Sequence, residues 1–140
     1  MGLADDITAA LPGLRAEAEA LMVDTCRITK PGGKPVWDND AGEYVDPAPV
    51  TVYEGKCRIR NAYPAPQSVQ AGQVVSGLDI IIISIPVGEA GGIERGCEWE
   101  LTASPNDPGS VGMRASITAD HVQTFSTACR FPAQIVSRHV

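Results

Sequence analysis

Little in this sequence offers reactive chemistry. Its four cysteines, Cys26, Cys57, Cys97 and Cys129, include no CxxC pair, so the usual zinc-ribbon spacing is missing. Histidine occurs twice, at His121 and the penultimate His139. There is no GxSxG elbow to present a serine to a histidine. The glycines at 72, 77, 88, 91, 92 and 96 lack a GK[ST] element, which excludes a phosphate-cradling loop of that kind. The apolar run around Ile80–Ile83 is far shorter than the roughly 20 residues of a membrane helix. Asp5 and Asp6 stand where a signal peptide would carry its basic region. These absences predict a protein that is not an enzyme, holds no cofactor or metal, avoids membranes and stays in a cytoplasm.

What is present describes one globular domain. The 140 residues are 44% apolar and 20% charged, ordinary values for a chain that buries about two-thirds of its unfolded surface. Seventeen acidic residues against eleven basic ones leave a net charge of −6. Such a balance is unsuited to tight nucleic-acid binding, which draws its affinity from phosphate neutralisation.

Hydrophobic spacing divides the chain in two. Leu3, Ile7, Leu11, Leu14 and Leu21 follow a helical period over residues 1–22. Pro12 should break or kink this helical arm, giving a short helix and then a three-turn helix. From residue 23 to 140 the period is two. Thr25–Thr29, Lys56–Arg60, Cys97–Leu101, Met113–Asp120 and Thr127–Val136 alternate, and Leu78–Val87 is nearly continuous in apolar residues. Pro35–Trp37 and Glu43–Val45 flank Asp38-Asn39-Asp40-Ala41-Gly42, a hairpin pattern with glycine in the left-handed position. Residues 62–77 read as a long loop. The expected fold is mainly β: a small antiparallel barrel or sandwich of six or seven strands, with an N-terminal helical arm and long loops.

The possible sites are few. Each cysteine shares strand parity with apolar neighbours, such as Cys26 with Ile28 and Cys129 with Phe131, so the four read as reduced core thiols rather than a metal cluster or disulfides. Asp38, Asp40 and Gly42 miss the calcium-loop spacing, with glycine at position five and Pro49 at twelve. His121 follows Asp120 at a strand end without a nucleophile pattern. Lys56, Arg58 and Arg60 share the outward face of one strand, and Glu98 and Glu100 that of another. These are either two solvated faces or, if the strands meet within or between subunits, a charge-paired interface that sets register more than affinity.

Several segments resemble a known family. They are the run from Leu11-Pro-Gly-Leu-Arg to Cys26, then Pro35-Val-Trp-Asp, Gly42-Glu-Tyr and Val52-Tyr-Glu-Gly-Lys-Cys-Arg-Ile. Ile93-Glu-Arg-Gly-Cys-Glu-Trp-Glu-Leu-Thr-Ala-Ser follows, with Asp107-Pro and Val111-Gly after it. In order and spacing they are similar to the head–tail connector proteins, the head-completion or stopper proteins, of long-tailed actinobacterial phages. The resemblance implies a structural virion protein of the neck, assembled in the host cytoplasm. It would form a homo-oligomeric ring of 6 or 12 copies, with the portal or its adaptor above and the tail terminator and tail tube below. The ring would retain packaged DNA, dock the tail and let the genome pass without sequence-specific binding. Lys56, Arg58, Arg60, Glu98 and Glu100 are then candidate subunit contacts, and Leu3, Ile7, Leu11, Leu14 and Leu21 a neighbour-contacting arm. The alternatives are a neighbouring neck part (a mostly helical portal adaptor, or a tail terminator) and a small-ligand-binding barrel.

Overall fold

The computed structural model describes residues 2–61 and 80–137. Helix α1 spans Leu3–Ala20, and the strands are β1 (Asp24–Lys30), β2 (Val36–Asp38), β3 (Glu43–Val45), β4 (Val50–Asn61), β5 (Ile80–Ile85), β6 (Glu98–Ala103), β7 (Arg114–Ile117) and β8 (Cys129–Ser137). Six of them close into an antiparallel barrel in the order β1-β4-β5-β8-β7-β6, while β2 and β3 form a separate two-stranded sheet. The expected β-barrel class with one helix is therefore what the chain adopts. The barrel has six strands, within the expected six or seven, and the hairpin adds a separate two-stranded sheet outside it. The expected loop at 62–77, the first two residues of the Leu78–Val87 strand and His139 lie outside the described residues.

Closure leaves each barrel strand paired on both sides, which removes the exposed edges that invite aggregation. Inward positions carry the apolar set. Ile28, Ile83, Ile85, Trp99, Leu101, Ile117 and Phe131 are almost wholly buried and belong to one continuous cluster. The four cysteines are buried free thiols within that cluster, as their strand parity predicts.

Pro132 lies inside β8, where a missing N–H would normally cost a ladder hydrogen bond. In a strand, a residue's N–H and C=O face the same neighbour. The Pro132 carbonyl accepts the Thr118 N–H at 2.9 Å and the Thr118 hydroxyl at 3.1 Å, so its nitrogen also faces β7, just past that strand's last residue, Ile117. The proline sits where little ladder remains to lose.

Helix α1 is one element with Pro12 inside it, not a short helix followed by a second one beginning at Pro12. Proline in a helix interior costs about 3 kcal/mol through a lost hydrogen bond and a clash. Alanines at 4, 9, 10, 16, 18 and 20 supply the best helix former around it. Asp5 and Asp6 in the first turn favour its positive end, and the Gly2 amide donates to Asp5 at 3.3 Å. Contacts with the rest of the chain also hold the helix. Leu11 is 7% exposed, the Arg15 Nε donates to the Ser126 carbonyl at 3.1 Å, and Glu19 pairs with Lys56 at 3.5 Å.

Candidate functional site

Three surface features stand out, and each follows from local sequence. The first is the outer face of α1. A helix with apolar residues at positions 3, 7, 11, 14 and 21 should bury that stripe. Only Leu11 is buried. Ile7 is half-buried, Leu14 and Leu21 are exposed, and Leu3 is 75% exposed. The five arm residues are thus split, with Leu11 anchoring the helix on its own chain and Leu3, Leu14 and Leu21 facing outward.

The second feature is the β2–β3 hairpin. Trp37 and Tyr44 are register partners, so they lie on one face of the ribbon. Their ring centroids are 5.1 Å apart at 75°, the edge-to-face geometry that aromatic quadrupoles favour. Trp37 is nevertheless 51% exposed and Tyr44 70%. The turn is closed by the Asp38 carboxylate, which accepts the Asp40 N–H at 2.9 Å, and by the Gly42 N–H donating to the Asp38 carbonyl at 2.9 Å. Gly42 has φ +68°, where an L side chain is disfavoured. At the base, a Cβ on Gly32 would come within 2.2 Å of the Pro47 carbonyl oxygen, so glycine lets the two ends of the excursion pinch together. The sequence marked this hairpin but not its aromatics. The signal was there, since Trp37 and Tyr44 flank the turn symmetrically.

The third feature is charge. Lys56, Arg58 and Arg60 all point outward and are exposed, as is Glu98, while Glu100 is half-buried. Within one chain the basic and acidic strands are not neighbours, because β1 pairs with β4 on one side and β6 on the other. Arg27 of β1 sits between them, opposite both Glu54 and Glu100 in register, and pairs with Glu54 at 3.4 Å. Glu100 also lies opposite Arg114 of β7. Glu100 therefore has cations on both flanks in its own barrel, while Glu98 lies opposite Thr29 and Ser116. Arg58 and Arg60 have no ion pair among the described residues.

His121 is half-buried in a cleft of about 280 Å³ lined by residues including Asp120, Cys129 and Phe131. Its Nδ1 accepts the Arg130 N–H at 3.1 Å, and its Nε2 is buried without a hydrogen-bond partner among the described residues. Burial pushes the Cys129 thiol up, the opposite of what an attacking thiolate needs. The Cys57 thiol is raised by its hydrogen bond to Cys26 and by burial. The indole N–H of Trp99 has no well-formed hydrogen bond; the Cys57 sulfur beside it is only a weak acceptor. No group of three or more His, Cys, Asp or Glu side chains is placed to hold a metal among the described residues. No described helix is long and apolar enough to cross a membrane.

No curated protein and no solved structure matches the chain. A family model described as a family of unknown function does match, over residues 14–134. That span runs from the second half of α1 through most of β8 and takes in the hairpin and all of the barrel but the last three residues of β8, so the chain belongs to the DUF6093 family.

Proposed function

We propose that this protein is a structural component of a phage neck, a head-to-tail stopper that forms a ring beneath the portal and its adaptor, retains packaged DNA and docks the tail. The observation that carries this reading is the pair of apolar surfaces, the Leu3/Leu14/Leu21 face of α1 and the Trp37/Tyr44 face of the hairpin, standing off a closed barrel. A closed barrel has no open edge to pair with, so contacts to neighbours above, below and beside it fall to such appendages. Exposed apolar patches of this kind mark interaction sites. The resemblance in segment order and spacing supports the same reading.

The net charge suits the task. A channel through which DNA must later slide should repel phosphate, and 6 or 12 copies at −6 sum to roughly −36 to −72 before screening. The strand-dominated fold favours a stopper over a mostly helical adaptor.

The test is genetic and biochemical. The protein should be found in purified particles at a fixed copy number. Deleting its gene from the phage should leave DNA-filled heads that leak and carry no tails. Stable full heads without it, or particles that lack it, would overturn the proposal.

A further inference from the structure

We propose that the β2–β3 hairpin of one copy docks on the outer β4–β5–β8 surface of the next, making a head-to-tail contact between copies of this chain. The hairpin needs a partner on physical grounds. A two-stranded sheet alone is marginal in water, and this one has no third strand among the described residues while exposing Trp37 and Tyr44 on one face and Val36 and Val45 on the other. It is also acidic. Asp40, Glu43 and Asp46 are exposed and in no ion pair among the described residues.

The proposed receiving surface has the opposite character. On β4, Arg58 and Arg60 face outward without an ion pair among the described residues. Arg60 lies opposite Ile82, so both share the outer face, and Ile82 lies opposite Pro132 of β8. Ile80 and Val136 are exposed on the same side. Isoleucine, valine and proline flanked by two guanidiniums match an aromatic ribbon flanked by three carboxylates, none of these charges being in an ion pair among the described residues.

This pairing replaces the Glu98/Glu100 partner that sequence alone suggested for the basic strand. Glu100 already has Arg27 and Arg114 as register neighbours, whereas the hairpin acids form no ion pair with a cation among the described residues. Because the two faces differ, the contact is heterologous, and repetition closes a ring if the rotation permits. The inference shares only the many-copy part of the neck reading. A chain that self-associates this way but is absent from particles would sink the neck function and leave this contact standing; the reverse result would do the opposite.

The test uses the full chain and two charge-reversed variants, Glu43→Lys/Asp46→Lys on the hairpin and Arg58→Glu/Arg60→Glu on β4, each checked for an unchanged circular-dichroism spectrum. Sedimentation velocity at low salt should show the natural chain self-associating, with association weakening as salt rises. Each variant alone should associate about tenfold or more weakly. An equimolar mixture should recover, since each then offers the face the other needs. Trp37 emission should shift to the blue on association and Trp99, 0% exposed, should not contribute to the change; Trp37→Phe should remove the shift. A natural chain that stays monomeric at millimolar concentration, or variants whose mixture does not recover, would overturn the contact. If a variant loses its fold, salt-insensitive association of the natural chain or an unshifted Trp37 overturns it equally.

Discussion

The guanidinium of Arg15 reaches the backbone carbonyl of Ser126 at 3.1 Å, joining the first helix to a loop 111 residues later in the chain. That loop lies between β7 and β8 and includes Phe125, whose φ of +57° is left-handed. Together with Leu11 and the Glu19–Lys56 pair, the Arg15 side chain ties α1 to a strained turn between β7 and β8.

Arg15→Ala should loosen the docking of the helix without opening the barrel. A lost hydrogen bond from a charged donor is worth about 1.5–3 kcal/mol, and here the loss falls on docking of α1. Hydrogen exchange should speed up over residues 3–20 and the loop around Ser126, with strand amides unchanged.

Core packing sets the overall stability. Phe131 is 2% exposed, and Phe131→Ala should cost about 3–5 kcal/mol through lost burial and a cavity. Urea unfolding at neutral pH reads this directly. Trp99→Phe should cost less, because it removes an indole N–H that lacks a well-formed hydrogen bond.

Stability should fall at alkaline pH. The Cys57 and Cys129 thiols are raised in the folded chain, whereas in the unfolded chain they ionise near about 8.5. Above that value the unfolded state sheds protons that the native state keeps, so stability falls, by up to about 1.4 kcal/mol per pH unit for each thiol, until that thiol ionises in the folded chain. Tyr53, raised chiefly by burial, adds to the fall above about pH 10. Lys30, raised by its hydrogen bond to Glu94, acts in the same direction, since its stabilisation exists below its unfolded value and is lost above. Urea midpoints under reducing conditions should be flat in the Cys57 and Cys129 contribution below about pH 8, and Cys57→Ala should make the alkaline slope shallower.

Gly32→Ala should spoil the base of the hairpin. The added methyl would meet the Pro47 carbonyl at 2.2 Å, so the two chain ends must part. Amide exchange should rise over residues 32–47, and self-association should weaken while β1–β4 pairing is kept. Gly33→Ala, at φ +84° with open space around it, tests backbone strain at the adjacent position without the steric clash.

The legible parts of this fold were those encoded by neighbours in sequence. Alternation from Thr25 to Thr29 placed Cys26 and Ile28 inside, and Asp38 to Gly42 carried its own turn chemistry. Strand order was not legible, because nothing local in Lys56–Arg60 or Glu98–Glu100 says that β1 lies between them; that placement comes from closure of the barrel. Pro12 misled for a related reason. A local rule argued for two helices, while alanine-rich flanks and the docking of Leu11 and Arg15 favoured one. The candidate surfaces were half legible. The charges of Arg58 and Arg60 could be read from parity, but the cations flanking Glu100, and hence the vacancy left for another acidic partner, required the register.

The position of β8 has a consequence for synthesis. It joins β5 to β7, yet it leaves the ribosome after every other barrel strand. Until residues 129–137 emerge, the nascent sheet has two raw margins and cannot close. Productive folding is therefore a late event that waits on distant segments, the regime of slow barrel formation. A chain cut short before Cys129 should present those margins to its neighbours and precipitate instead of maturing.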